Sequence, residues 1–151
     1  MTAQHILVPT DFSEYADYAL DYAIELAQKL QARLTLLHII QLTPMTMGDM
    51  YGYSLEAYLE AMESEAQKHM EGLLNRLHQE GLEGETAIVQ GAPFQIIVDM
   101  AESRDVDLIV MGTHGRTGLT YALMGSVAEK VVRLAPCPVL VTRDTKNAAG
   151  V

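Results

Sequence analysis

Cysteine is almost missing from this chain: Cys137 is the only one in 151 residues. An internal disulfide framework and a cysteine-based zinc site are excluded, and a reducing compartment fits this usage. Basic residues are also scarce, 10 Lys+Arg against 20 Asp+Glu for a net charge of −10. A chain this acidic is a poor general binder of nucleic acid or of an anionic membrane, since both need cationic surface. No apolar run approaches the ~20 residues of a membrane span. The opening MTAQHILVPTDF lacks the basic start and long apolar stretch of a signal peptide, so a soluble cytoplasmic protein is expected.

Several signatures of chemistry are absent too. There is no G-x-x-x-x-G-K-[ST] loop to place a lysine on phosphates, and no G-x-G-x-x-G after the first apolar run. Neither a G-x-S-x-G elbow nor an H-E-x-x-H pair occurs. The acidic cluster and late lysine of a response regulator are not evident, and there is no internal repeat, low-complexity tract or linker.

What is present belongs to one globular domain. Hydrophobic residues make up 49% and charged residues 20%, enough apolar content to build a core and exclude disorder as the main state. The apolar runs 5–8, 33–40, 85–90, 108–111 and 138–143 read as strands. Between them lie helical patterns: from Asp11, Ser13 and Glu14 to about Leu30; from Ser54 to Glu80, closed by Gly81; from Pro93 through Arg104; and from Ser126 to Pro136. Five strands alternating with four helices describe a single-domain α/β fold with a parallel sheet, because parallel strands need crossover connections. Strands this apolar fit a sheet covered on both faces. The domain is expected over residues 1–143, followed by a frayed tail at 144–151.

In open parallel sheets, ligands sit outside the carboxyl ends of the strands, at the switch point of strand order. Two segments suit such a place. Val8-Pro9-Thr10-Asp11 ends the first strand, where Asp11 either caps the next helix or faces a ligand. Met111-Gly112-Thr113-His114-Gly115-Arg116 follows the fourth strand and leads to Gly125-Ser126 at the start of a helix. Glycines let backbone N–H groups approach a phosphate, and a helix N-terminus favours an anion. Arg116 adds a positive charge and Ser126 a hydroxyl. Such a stretch serves a phosphate or is simply a flexible loop before a capped helix. Of the histidines, His69 and His78 read as solvated and His38 is ambiguous, whereas His114 suits a donor to phosphate. Cys137, between two prolines, reads as a small buried residue. The Met and Tyr residues of 41–53 form a loose loop or an adaptable contact surface.

Ile6-Leu7-Val8-Pro9-Thr10-Asp11-Phe12-Ser13 resembles the opening of universal stress proteins. Leu36-Leu37-His38-Ile39, Gly91-Ala92-Pro93 and Cys137-Pro138-Val139-Leu140-Val141 match in the expected order. Gly112-x2-Gly115-x9-Gly125-Ser126 is similar to the G-x2-G-x9-G-[S/T] signature of the family's ATP-binding branch. The resemblance spans about residues 3–143. It implies a Rossmann-like sheet of order 3-2-1-4-5 with helices on both faces and the nucleotide between the first and fourth strands. Carried over by position, Pro9, Thr10 and Asp11 would flank the adenosine, with Asp11 on the ribose hydroxyls or near a Mg2+ ion. Ile39 would offer backbone groups to the adenine, and Met111 would line its pocket. Gly112, His114, Gly115, Arg116, Gly125, Ser126 and Val127 would hold the phosphates. The family also implies a homodimer formed by pairing last strands, here Val139-Leu140-Val141, an apolar edge.

The expected function is that of a cytoplasmic ATP-binding module in a stress response, regulatory or protective. Two alternatives stand beside it: a slow ATP hydrolase using Asp11 and Mg2+, and a nucleotide-independent dimer that recruits a protein partner. Charge is unevenly divided in a way that bears on the first. Residues 1–111 hold 5 basic and 18 acidic residues, a net −13, whereas 112–143 hold 4 basic residues against Glu129, a net +3. The glycine-rich segment lies in the one stretch with the sign a polyphosphate needs.

Overall fold

A computed structural model describes residues 3–42, 54–114 and 124–143. The chain alternates β1 (His5–Pro9), α1 (Glu14–Leu30), β2 (Arg33–Ile40), α2 (Leu55–Gln79), β3 (Gly84–Gln90), α3 (Pro93–Ser103), β4 (Leu108–Gly112), α4 (Ser126–Leu134) and β5 (Val139–Thr142). Local chemistry sets the helix ends. The Ser13 and Ser54 hydroxyls accept the N–H groups of Ala16 and Ala57, capping α1 and α2. α1 stops where Gln31 turns left-handed at φ 55°, and the chain leaves α2 through Gly81 at φ +76°, a conformation glycine adopts without strain. Pro93 occupies the first turn of α3, where its missing N–H costs no helix bond.

The five strands form one parallel sheet of order β3-β2-β1-β4-β5, as the resemblance implied. Successive β1 residues serve opposite faces: Ile6 and Val8 join one core cluster and Leu7 joins the other. The first cluster packs α1 and α2 against the sheet through Ala19, Ala23, Met70 and Leu77. The second packs α3 and α4 through Ile97, Met100, Ala128 and Val131. Ile6, Leu7 and Val8 are wholly buried, which is why β1 lacks the polar–apolar alternation of a half-exposed strand.

Element limits depart from the sequence reading by small shifts. Pro9 is the last residue of β1, opposite Leu37, and the ladder continues past it as Thr10 N–H donates to the Leu37 carbonyl at 2.8 Å. Gly112 pairs with Thr142 and so belongs to β4 rather than to the loop after it. Cys137 is half-buried rather than fully buried, and partial desolvation raises its thiol pKa. Most of the 41–53 loop, the stretch 115–123 with Gly115 and Arg116, and the expected tail at 144–151 lie outside the described residues.

Candidate functional site

β1 lies between β2 and β4, so the chain's crossovers leave it in opposite directions on its two sides. β1 pairs with β4 in parallel, Ile6 opposite Leu108 and Leu7 opposite Ile109. Pro9-Thr10-Asp11 and Met111-Gly112-Thr113-His114 continue from those strands on the carboxyl side of the sheet, where open α/β folds hold their ligands.

On the β1 side, short hydrogen bonds shape the turn. Phe12 N–H donates to Thr10 Oγ1 at 3.1 Å, and Ser13 N–H donates to Asp11 Oδ1 at 3.0 Å. Asp11 is therefore not the helix cap; Ser13 is, and Asp11 braces the residue that does the capping. From β2, His38 Nδ1 donates to the Thr10 carbonyl at 2.9 Å, which brings the end of that strand, with Ile39 next in line, against the turn. The start of α1 is acidic. Asp17 is held protonated to higher pH than an ordinary carboxylate, first by partial burial and then by the neighbouring Asp21.

On the β4 side, two glycines sit where a side chain would collide with backbone. A Cβ on Gly112 would lie 2.9 Å from the carbonyl oxygen of Tyr15, in the first turn of α1. A Cβ on Gly125 would lie 3.0 Å from the Thr113 carbonyl oxygen and 3.7 Å from His114 Cα. Gly125 N–H donates to that same Thr113 carbonyl at 2.7 Å, which ties the N-cap of α4 to the end of β4. Ser126 and Val127 follow in the first turn of α4, whose free N–H groups form an anion-favouring end. His114 Nδ1 lies 3.2 Å from Thr113 Oγ1, and its ring tilts against Tyr15 with centroids 5.6 Å apart. Its other nitrogen, Nε2, is buried with no hydrogen-bond partner among the described residues.

The fold thus brings Pro9, Thr10, Asp11, Ile39, Met111, Gly112, His114, Gly125, Ser126 and Val127 to one end of the sheet, on adjoining strands and the helix after β4. Gly115 and Arg116 are outside the described residues. Sequence reasoning missed Thr113, buried and bonded to both His114 and Gly125. His69 is exposed, as the sequence suggested, but its stacking on Phe12 was not foreseen. Among the described residues no group of three or more His, Cys, Asp or Glu side chains could hold a metal on its own. No described helix is long and apolar enough to cross a membrane.

A parallel sheet of this order, with helices packed on both faces, defines the class of Rossmann-like α/β domains. The profile of the universal stress protein family matches residues 2–143, and the chain belongs to that family. It is 36% identical over 142 residues to universal stress protein MJ0531 of Methanocaldococcus jannaschii, covering 94% of this chain and 83% of that one. Among solved structures, protein MJ0577 superposes with a TM-score of 0.84 at 33% identity, over 95% of this chain and 98% of that one. A universal stress protein from Archaeoglobus fulgidus, solved in complex with dAMP, superposes at 0.68 with 25% identity, over 95% of this chain and all of that one. Another, solved in complex with cAMP, superposes at 0.63 with 25% identity, covering 95% and 98%.

Proposed function

We propose that this chain binds ATP between the ends of β1 and β4 and acts as a cytoplasmic regulatory or protective module of a stress response. The observation that carries the reading is the buried Nε2 of His114, left without a described partner beside the Gly125 cap of α4. An imidazole nitrogen in that state is costly unless a ligand satisfies it, and a phosphate oxygen accepts from it. The approach of Gly125 to Thr113 and His114 leaves no room there for a side chain. Pro9 and Thr10 flank the adenosine, Ile39 and Met111 bound the adenine, and Asp11 reaches the ribose hydroxyls or a metal. Gly112, Gly115, Arg116, Ser126 and Val127 complete the phosphate end. Mg2+ is commonly taken by one or two carboxylates together with substrate phosphates, so Asp11 serves it only with the nucleotide in place.

The relatives solved with dAMP and cAMP favour a second reading, in which a monophosphate of adenine is the preferred ligand. Calorimetric titration separates the two. ATP binding tighter than AMP, lost in His114→Ala by roughly tenfold or more, supports the triphosphate; hydrogen bonds to charged groups are worth about 1.5–3 kcal/mol. Equal affinity for AMP and ATP supports the monophosphate, and no heat with either at millimolar concentration overturns both. Phosphate release stays at the background rate under this proposal and rises with Mg2+ if the protein is instead a slow hydrolase. Homodimerisation through Val139–Val141 belongs to the same proposal: these edge residues are only half-buried, and Val132 and Leu134 of the preceding helix are exposed.

A further inference from the structure

Phe12 occupies backbone space that its side chain does not favour. Its φ is +63°, in the left-handed region where a residue with a Cβ is uncommon. Such a conformation persists only where the surroundings over-determine it. Here the surroundings are the edge of the core cluster beneath α1 and α2, the Thr10 hydroxyl that accepts the Phe12 N–H, and two histidines. The ring of Phe12 stacks on His38 of β2, with centroids 4.4 Å apart and planes 25° from parallel. It also stacks on His69 of α2, at 4.6 Å and 23°. His38 is itself tied to the turn, donating to the Thr10 carbonyl. The stack therefore joins three elements: β2, the turn between β1 and α1, and α2. Asp11 precedes Phe12 directly and accepts the N–H of Ser13, which follows it.

We propose that His38 and His69 are positioning residues that lock Phe12 in its left-handed conformation and so hold Asp11 in the shape that meets the nucleotide. The proposal rests on the nucleotide reading given above. It also accounts for a contact that core filling leaves over: Phe12 packs partly against the core cluster beneath α1 and α2, whereas the His69 ring stacked on it is exposed.

The test compares His69→Ala and His69→Phe, both changes at an exposed position of α2, by amide hydrogen exchange on the ligand-free protein and by ATP titration. His69→Ala should speed exchange at Phe12 and Ser13 by roughly fivefold, the size expected for one aromatic contact, and leave the interior of α1 unchanged. ATP affinity should fall by a similar factor, and His69→Phe should restore both. Unchanged exchange at the turn in His69→Ala overturns the lock, as does a uniform change throughout α1. Faster exchange with undiminished ATP affinity overturns the positioning role. If the unmodified protein takes up no ATP, the nucleotide reading fails and the link to Asp11's ligand fails with it, while the exchange data still decide whether the lock exists.

Discussion

His5 shows how much a single side chain near the amino ends of the strands decides. It is buried, and Thr35 Oγ1 lies 2.7 Å from its Nε2. The Thr35 hydroxyl gives its own proton to Glu85 Oε1 at 2.8 Å, so it must accept from His5, and the ring proton sits on Nε2. Nδ1 lies 3.3 Å from Arg33 Nη2, which donates to it on the neutral ring, and 3.2 Å from the Arg104 carbonyl, which accepts from it only when the ring is protonated. Burial, and after it the Arg33 charge, lower the His5 pKa below 6.5. The Thr35 hydrogen bond lowers the Glu85 pKa below 4.5. At these two sites the unfolded chain therefore binds more protons than the folded one as the medium becomes acid, and the stability they contribute is lost as pH falls below about 6.5 and again through the carboxylate range. In that range Asp17, with its raised pKa, acts in the opposite sense. Urea unfolding at a series of pH values should show this decline, flattened between pH 7 and 5 in His5→Asn. Thr35→Val removes the hydroxyl that both neighbours use and should cost about 1–3 kcal/mol at neutral pH by the same measurement. At the other end of the strands, Gly125→Val should place its Cβ against the Thr113 carbonyl and weaken ATP binding at least tenfold in a folded protein, as titration will read.

The elements were the most legible part of the sequence, and α1 shows both why and where legibility ended. Its apolar positions Ala16, Ala19, Leu20, Ala23, Ile24 and Ala27 recur at helical spacing, and all are buried. Small side chains on that stripe let α1 lie close to the sheet, with Ala19, Ala23 and Ala27 wholly buried. Ala23→Leu should overfill this contact and destabilise the protein by about 1–3 kcal/mol in urea unfolding. The start of α1 was less legible, because Asp11 and Ser13 are both good capping residues and spacing alone does not choose between them. The choice depends on Phe12 turning left-handed, and that depends on rings from β2 and α2 that lie distant in sequence. Thr113 was hidden for the same kind of reason: its partner Gly125 is brought back to it by a segment no local pattern describes. The glycines themselves were readable as flexible or phosphate-facing, but only packing shows that Gly112 is required by the backbone of Tyr15.

At the scale of the whole molecule, alternation of strands and helices was enough for a parallel α/β sheet, but strand order came only through the family resemblance. Crossover handedness and apolar strands do not by themselves say which strand lies in the middle. The order matters because it makes the meeting of β1 and β4 the switch point, and it leaves β5 as an edge. The net charge of −10 also reads differently once placed on the fold, since the segment of net +3 contains the end of β4 and all of α4 and β5. An overall acidic protein can thus present one locally favourable place for an anion. If the exposed edge of β5 pairs two copies, Val141→Lys should block it; sedimentation should then show a monomer where the unmodified chain is a dimer, with circular dichroism unchanged. The central claim is where the nucleotide sits, and amide NMR during an ATP titration tests it most directly. Shifts should gather at Thr10–Ser13, Met111–His114 and Gly125–Val127. Saturating shifts confined to another surface, such as the Ala61–His69 stretch of α2, or no shifts at millimolar ATP, would contradict it.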